Sequence, residues 1–169
     1  MKQVLVAGIG NIFLGDDAFG SEAARALAEH SWPPGVVIRD FGIRCLDLAY
    51  ALGEGWSAVI VLDAVSRGQA PGTLYRIALE EEAEEDEPEA GRDAHSVGVE
   101  HVRALAHRMG VALPPMVLLG CEPECLEPSM DEDCALSPPV RRALPQALVM
   151  AEALACEFMT SQKEEAIRT

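Results

Sequence analysis

The stretch that decides the fold is Gln3-Val4-Leu5-Val6-Ala7-Gly8-Ile9, a short, almost wholly apolar run that leads into Gly10-Asn11. Such a run, closed by turn residues, is typical of a strand buried on both faces of a sheet. Ala58–Leu62 and Met116–Cys121 show the same pattern, and the first of these stops at Asp63. We expect Ala58–Leu62 to be central, because it is apolar throughout. Strands of this kind are found in parallel sheets that helices cover on both sides.

The other segments complete an alternation of strands and helices. Further strands are predicted at Val36–Phe41 and at Thr73–Leu79, the latter as an edge or antiparallel strand after a Pro-Gly turn. Helices are predicted at about 19–30, at Cys45–Leu52, at about 96–109 and at about 138–159. The chain is therefore predicted to be α/β: one three-layer αβα domain over residues 1–169, with a mostly parallel twisted sheet of about five strands.

Three features of the helices and loops lead to more specific expectations. Asp16 or Asp17 could cap the first helix, and Ser137 with Pro138 is a good start for the last one. Pro145 should kink that last helix or restart it. The acidic stretch 80–90 is expected to be a solvated, mobile loop, because like charges this dense repel one another.

Composition excludes several classes of partner. The formal net charge of −15 would repel phosphate, so we expect no nucleic acid. The N-terminal apolar run is too short for a signal peptide, and no stretch approaches the roughly 20 apolar residues of a membrane span. The five cysteines lack the density of a secreted scaffold. We therefore expect a cytoplasmic, thiol-reduced monomer with no membrane partner.

Acidic residues follow the predicted strands at their carboxyl ends, where open parallel sheets bind ligands. They are Asp16, Asp17, Asp40, Asp63, Glu122 and Glu124. Their mutual repulsion would cost stability unless a cation lay among them. A helix cap also explains Asp16, and a turn at the end of a strand also explains Asp63. From the residues alone, Asp16, Asp17 and Asp40 are nearly interchangeable.

His95 is the histidine that best suits a metal site, because it lies in a loop just before a predicted helix. Helix surfaces explain His30, His101 and His107. Neutral imidazole binds nickel, zinc and cobalt well, and one histidine with two carboxylates would make an open site. Competing motifs are weak: Phe13 replaces the third glycine of a dinucleotide fingerprint. The cysteines at 121, 125 and 134 match no common zinc spacing, although they could hold zinc.

An ordered set of short motifs resembles the nickel-iron hydrogenase maturation endopeptidases. The set comprises Gly8-Ile9-Gly10-Asn11, Gly15 to Gly20, Asp40-Phe41-Gly42, Leu62-Asp63-Ala64, Pro71-Gly72-Thr73, His95 with Gly98, Gly120 through Glu124, and Leu136-Ser137-Pro138. Together these motifs cover essentially the whole chain. Ala18 stands where relatives often have Gly, so the backbone there must avoid a positive φ.

The resemblance implies that the chain cuts the C-terminal extension from a nickel-iron hydrogenase large-subunit precursor after nickel insertion. It implies Asp17, Asp63 and His95 as contacts of the substrate-bound nickel, which zinc or cadmium could replace in vitro. Asp16, Asp17 and Asp63 are the candidate catalytic carboxylates, and Asp16 is a candidate general base against its cap role. The alternatives are a nickel carrier or chaperone without proteolytic activity and, less favoured, an enzyme like peptidyl-tRNA hydrolase.

Overall fold

The computed structural model describes residues 2–79, 98–128 and 136–160. One five-stranded sheet lies at its centre, and the strands are β1 (Val4–Ile9), β2 (Val36–Gly42), β3 (Ala58–Ala64), β4 (Leu74–Leu79) and β5 (Met116–Cys121). Their order is β2-β1-β3-β5-β4. The pairs β1–β2, β1–β3 and β3–β5 are parallel and β4 runs antiparallel to β5. The α/β prediction is confirmed, with β3 central and β4 an antiparallel edge strand.

Four helices cover the two faces of the sheet: α1 (Phe19–Ala28), α2 (Cys45–Ala51), α3 (Val99–Arg108) and α4 (Pro138–Thr160). Alternate residues of the strands supply two apolar clusters, as buried parallel strands require. Val59 and Val61 pack with residues of α2 and α3, and Ile60 and Leu62 pack with residues of α1 and α4. The three-layer arrangement of the prediction is therefore present.

One expectation about a helix start was wrong, and one of the two alternatives for Pro145 is excluded. Neither Asp16 nor Asp17 caps α1: both lie in a short 3-10 helix, Gly15–Ala18, and no side chain caps either element. Pro145 does not restart the last helix, because α4 runs unbroken through it. Burial of Ala147, Ala151, Leu154 and Ala155 against the core offsets the hydrogen bond that the proline removes.

The last helix does begin at Pro138, as predicted, although the Ser137 hydroxyl makes no hydrogen bond. The acidic stretch 80–90 and residues 96 and 97 of the predicted helix lie outside the described residues. In the described part of the chain, no helix is long and apolar enough to cross a membrane.

Two glycines bring the start of α1 against the carboxyl ends of the strands. A Cβ on Gly20 would lie 2.1 Å from the Leu62 carbonyl oxygen and 2.2 Å from that of Ile9. A Cβ on Gly8 would lie 2.3 Å from the Gly20 carbonyl oxygen. Only glycine permits this approach of backbone to backbone. It places the 3-10 helix that carries Asp16 and Asp17 at the edge of the sheet where β3 ends.

Candidate active site

Asp16 and Asp17 are neighbours in sequence but have different surroundings. Asp16 is completely buried. Its Oδ2 accepts the N–H groups of Glu124 and Cys125 at 2.8 and 3.1 Å, and its Oδ1 accepts that of Ser137 at 2.7 Å. Backbone donors of this kind compensate a buried carboxylate well. Asp16 therefore ties together the segment after β5 and the start of α4.

Asp40 and Glu122, like Asp16, are compensated by nearby hydrogen-bond donors. Asp40 lies within β2 and accepts the Arg25 Nε–H at 3.1 Å and the Gly42 N–H at 3.0 Å. Since Asp40 alternates with Arg39 and Phe41, it faces α1, away from Phe41 and the α2–α3 side. It is thus separated from the face of the sheet that Asp63 occupies.

Glu122 is buried and is held by four donors. It accepts the Tyr75 hydroxyl and the backbone N–H groups of Arg67 and Gly68, and a further N–H from Gln69. Burial alone would raise the pKa of Glu122, but these hydrogen bonds outweigh it and lower the pKa. Not all the acids at this edge therefore depend on a cation for compensation, because backbone donors serve Asp16 and Glu122 and Arg25 pairs with Asp40.

Asp17 is only partly buried and lies at the mouth of the site. Its Oδ2 accepts the Asn11 N–H at 2.7 Å. The chain can reach this position because Gly10 adopts a φ of 140°, and a Cβ on Gly10 would lie only 1.8 Å from the Asp17 carbonyl oxygen. Ala18 has a φ of −67°, so it accommodates the turn without the glycine that relatives often have. Asp17 thus keeps a carboxylate near the surface.

Asp63 is buried near the end of β3, on the side of the sheet that carries α2 and α3. It is 6 % exposed and accepts backbone N–H groups of Ala64 and of Val99, the first residue of α3. Gly98 leaves room for it, since a Cβ there would lie 3.1 Å from Asp63 Oδ2. Burial raises the pKa of Asp63 well above its ordinary value, and the negative charge of Asp17 raises it further. The two N–H groups offset only part of this effect.

Asp17 and Asp63 therefore form a pair of mutually repelling carboxylates, one partly exposed and one buried. A pair of this kind is suited to binding a cation or holding a proton, since either removes the repulsion. His95, the predicted third ligand, lies outside the described residues. Within the described residues, no three side chains of His, Cys, Asp or Glu lie close enough to hold a metal ion.

The cysteines separate into buried and exposed thiols. Cys121 is completely buried in an apolar cluster with Ala18, Phe19 and Leu136, and burial raises its pKa to about 12, with Asp16 and Glu122 adding to the effect. Cys125 is exposed, and Cys134 lies outside the described residues. No three His, Cys, Asp or Glu side chains of the described residues lie together as metal ligands, so these residues give no support to a zinc-thiolate site.

Two contributors to the site went unnoticed in the sequence. The first is the Asn11 N–H, which donates a hydrogen bond to Asp17. The second is the Cys45 thiol at the start of α2, whose pKa is raised mainly by burial and further by the nearby charge of Asp63. The pattern of the strands alone could have indicated the second, because a helix follows each parallel strand and its start meets the carboxyl edge of the sheet. The other histidines of the described chain are exposed, and His30 pairs with Glu152 of α4 at 2.6 Å.

Comparison with known proteins decides between the candidate families. The family model described as hydrogenase maturation protease matches residues 22–154. The chain belongs to the hydrogenase maturation protease family. It is 37 % identical over 132 residues to the hydrogenase expression/formation protein HupD of Rhodobacter capsulatus, a match that covers 75 % of this chain and 60 % of HupD. It is 34 % identical over 150 residues to HoxM of Azotobacter vinelandii, covering 88 % of this chain and 70 % of HoxM.

Solved structures of this protease family share its fold. The hydrogenase maturating endopeptidase HybD from E. coli superposes with a TM-score of 0.75 at 28 % identity, covering 92 % of this chain and 93 % of HybD. A hydrogenase 2 maturation peptidase from a Thaumarchaeota archaeon superposes with a TM-score of 0.67 at 37 % identity, covering 91 % of this chain and 99 % of that one. The predicted membership of the hydrogenase maturation protease family is confirmed.

Proposed function

We propose that this hydrogenase maturation protease removes the C-terminal extension of a nickel-iron hydrogenase large-subunit precursor after nickel insertion. In this proposal Asp17, Asp63 and His95 contact the nickel that the precursor carries. The observation that carries the proposal is the Asp17–Asp63 pair, whose mutual repulsion a bound cation would relieve. Membership of a protease family supplies the reaction class.

The different exposure of the two carboxylates suits a metal that arrives on another protein. Asp17 is partly exposed and can meet the metal first, whereas Asp63 is buried against the start of α3 and is already oriented by the Val99 N–H. His95 precedes α3 in the sequence, so its position along the chain is compatible with a third ligand from the same side. Two carboxylates and an imidazole leave coordination positions free for the substrate's own ligands.

Hydrolysis requires a water, a base and a polarised carbonyl. The nickel of the precursor would polarise the scissile carbonyl or lower the pKa of the attacking water. The water loses a proton to the base, its oxygen adds to the carbonyl carbon, and the C–N bond breaks as the departing nitrogen takes up a proton. Asp16 is poorly placed to be this base, because it has no exposed surface and its oxygens already accept three N–H groups.

Mass spectrometry of a large-subunit precursor, incubated with and without loaded nickel, tests the proposal. We expect the wild-type protein to release the C-terminal peptide only from the nickel-loaded precursor. His95→Ala should fold and fail to release it, whereas His101→Ala, which alters an exposed histidine on α3, should cleave normally. Cleavage of unloaded precursor at the wild-type rate would contradict the role of nickel, and wild-type cleavage by His95→Ala would contradict the role of that residue.

Equilibrium dialysis with nickel separates this proposal from the carrier alternative. An open three-ligand site should hold nickel only weakly when no precursor is present. Tight nickel binding by the isolated protein, with no peptide released from any precursor, would favour the carrier. Family membership leaves the peptidyl-tRNA hydrolase alternative without support.

A further inference from the structure

Exposed apolar side chains are concentrated next to the candidate active site. Five large hydrophobic side chains are more than half exposed in the described part of the chain, and four of them lie in two adjacent segments: Phe13, Ile43, Leu46 and Tyr50. The fifth, Val149, lies on α4. Scattered exposed hydrophobics need no explanation, but a cluster of them marks a surface that a partner covers.

Three of these side chains lie in or just before α2. Leu46 and Tyr50 are separated by four residues and therefore lie on the same face of the helix, and Ile43 lies in the turn just before it. The opposite face of α2 carries Leu48, which is completely buried. Ile43, Leu46 and Tyr50 thus form an outward apolar surface, which we call the α2 stripe.

The α2 stripe adjoins the Asp17–Asp63 pair through short covalent and hydrogen-bonded connections. Gly10 donates its N–H to the Gly42 carbonyl at 3.0 Å, which joins the loop before Asp17 to the residue preceding Ile43. Asn11, next to Gly10, donates to Asp17. Cys45, next to Leu46, is close enough to Asp63 for the negative charge of Asp63 to raise the pKa of the Cys45 thiol. The segment that carries the stripe therefore lies next to the segments that carry the site.

The charged side chains between the first and last residues of the stripe balance each other, in contrast to the strongly acidic chain. They are Arg44 and Asp47, which pair at 3.6 Å. Since the net charge of the chain is −15, a surface on which cations and anions balance does not select a highly charged partner. Its chemistry favours an apolar segment of polypeptide.

We propose that the α2 stripe seats an apolar segment of the precursor polypeptide close to the scissile bond, so that the bond reaches the Asp17–Asp63 pair. This inference rests on the proposed function, because that function requires a polypeptide to enter the site. The stripe supplies binding energy away from the reacting atoms, which a protease uses to position its substrate. Leu46 and Tyr50 are the expected anchors, since a few apolar and aromatic contacts carry most of the energy of an interface.

The test is the binding and cleavage of nickel-loaded precursor by the triple variant Ile43→Gln, Leu46→Gln, Tyr50→Gln. Biolayer interferometry should show the Kd for precursor raised at least about tenfold. Mass spectrometry should show a higher KM with kcat at saturating precursor near the wild-type value. Val149→Gln is the matched control, because it removes an exposed apolar side chain far along α4 and should change neither quantity.

The outcomes separate this inference from the proposed function. If the wild-type protein cleaves no precursor, the proposed function is wrong and the stripe loses its basis. If the wild-type protein cleaves but the triple variant binds and cleaves equally well, only the docking inference is wrong. Sedimentation of the wild-type protein as a dimer that the triple variant dissolves, with cleavage unchanged, would show that a second copy covers the stripe and would also overturn the inference.

Discussion

Asp16 and Asp63 are both buried carboxylates at the same edge of the sheet, yet they are compensated to different degrees. Asp16 accepts three backbone N–H groups from two separate segments. Asp63 accepts two, faces the charge of Asp17, and has a raised pKa. Burial alone therefore does not indicate function. A carboxylate whose burial is incompletely compensated is the better candidate for a site.

The comparison extends to Glu122, which resembles Asp16 and not Asp63. Its donors lower its pKa although it is buried, whereas burial and Asp17 raise that of Asp63. The two groups should therefore contribute to stability with opposite dependence on pH. Glu122 and Asp16 stabilise the folded state through their hydrogen bonds, whereas the ionised form of Asp63 destabilises it. Such a cost is expected where function requires a group that folding alone would not favour.

The largest expected effect is that of Asp16→Ala on stability. This change leaves three backbone donors buried without an acceptor and should lower the free energy of unfolding by about 3–5 kcal/mol. Urea denaturation monitored by circular dichroism measures it. Asp17→Ala, which removes a partly exposed carboxylate, serves as the control and should cost much less. A loss below about 1 kcal/mol for Asp16→Ala would mean that the anchoring role is wrong.

Glu122→Gln should have the next largest effect, and the effect should depend on pH. The folded state lowers the pKa of Glu122, so its stabilisation is complete above the ordinary carboxyl pKa and is lost as the pH falls through the lowered value. We expect Glu122→Gln to cost about 1–3 kcal/mol near neutral pH and less in acid. Unfolding curves over a series of pH values measure this. An equal cost at every pH would contradict it.

Asp63→Asn should change stability in the opposite direction. The folded state raises the pKa of Asp63, so the wild-type protein loses stability as the pH rises from the ordinary carboxyl pKa through the raised value. The amide cannot ionise, so the variant should melt higher near neutral pH, by about 2–4 °C for each 1 kcal/mol relieved. Scanning calorimetry near neutral pH and in acid measures the difference, which should shrink in acid. A lower melting temperature near neutral pH would show that the ionised form of Asp63 is compensated after all.

Gly98→Ala should produce the smallest effect. The added methyl group would lie 3.1 Å from Asp63 Oδ2, so the carboxylate must shift by a few tenths of an ångström. Gly98 has a φ of −91°, which alanine adopts readily, so the backbone gives no reason for a loss of stability. We expect processing to slow roughly two- to tenfold with an unchanged melting temperature. An unchanged rate would indicate that the position of Asp63 is not critical.

The sequence predicts the sheet well because its central strands are continuous apolar runs. Val4–Ile9, Ala58–Ala64 and Met116–Cys121 lie within a residue or two of their predicted bounds, and the turn before Leu74 correctly indicated a change of strand direction. Pro145 does not restart the helix, because burial along the rest of α4 outweighs the hydrogen bond that the proline removes. Local signals decide elements here, whereas packing decides whether an exception is tolerated.

The site could be predicted only in part, because the compensation of each carboxylate depends on distant backbone. Nothing near Asp16 indicates that the N–H groups of Glu124, Cys125 and Ser137 converge on it across more than 100 residues. Alternation along β2 could have separated Asp40 from Asp63, since it places Asp40 towards α1. The resemblance to the maturation endopeptidases supplied Asp17 and Asp63, and the structure adds the physical difference between Asp16 and Asp17.

The central claim is that the Asp17–Asp63 pair acts on the substrate and is not part of the scaffold. The most direct test is the rate at which Asp63→Asn releases the C-terminal peptide from a nickel-loaded precursor, measured by mass spectrometry beside the wild-type protein and Asp40→Asn. We predict a rate lower by about a hundredfold or more for Asp63→Asn, in a protein at least as stable as wild type. Asp40→Asn, which alters a carboxylate already paired with Arg25, should keep a rate much closer to wild type. A folded Asp63→Asn protein that processes within about threefold of the wild-type rate would contradict the claim.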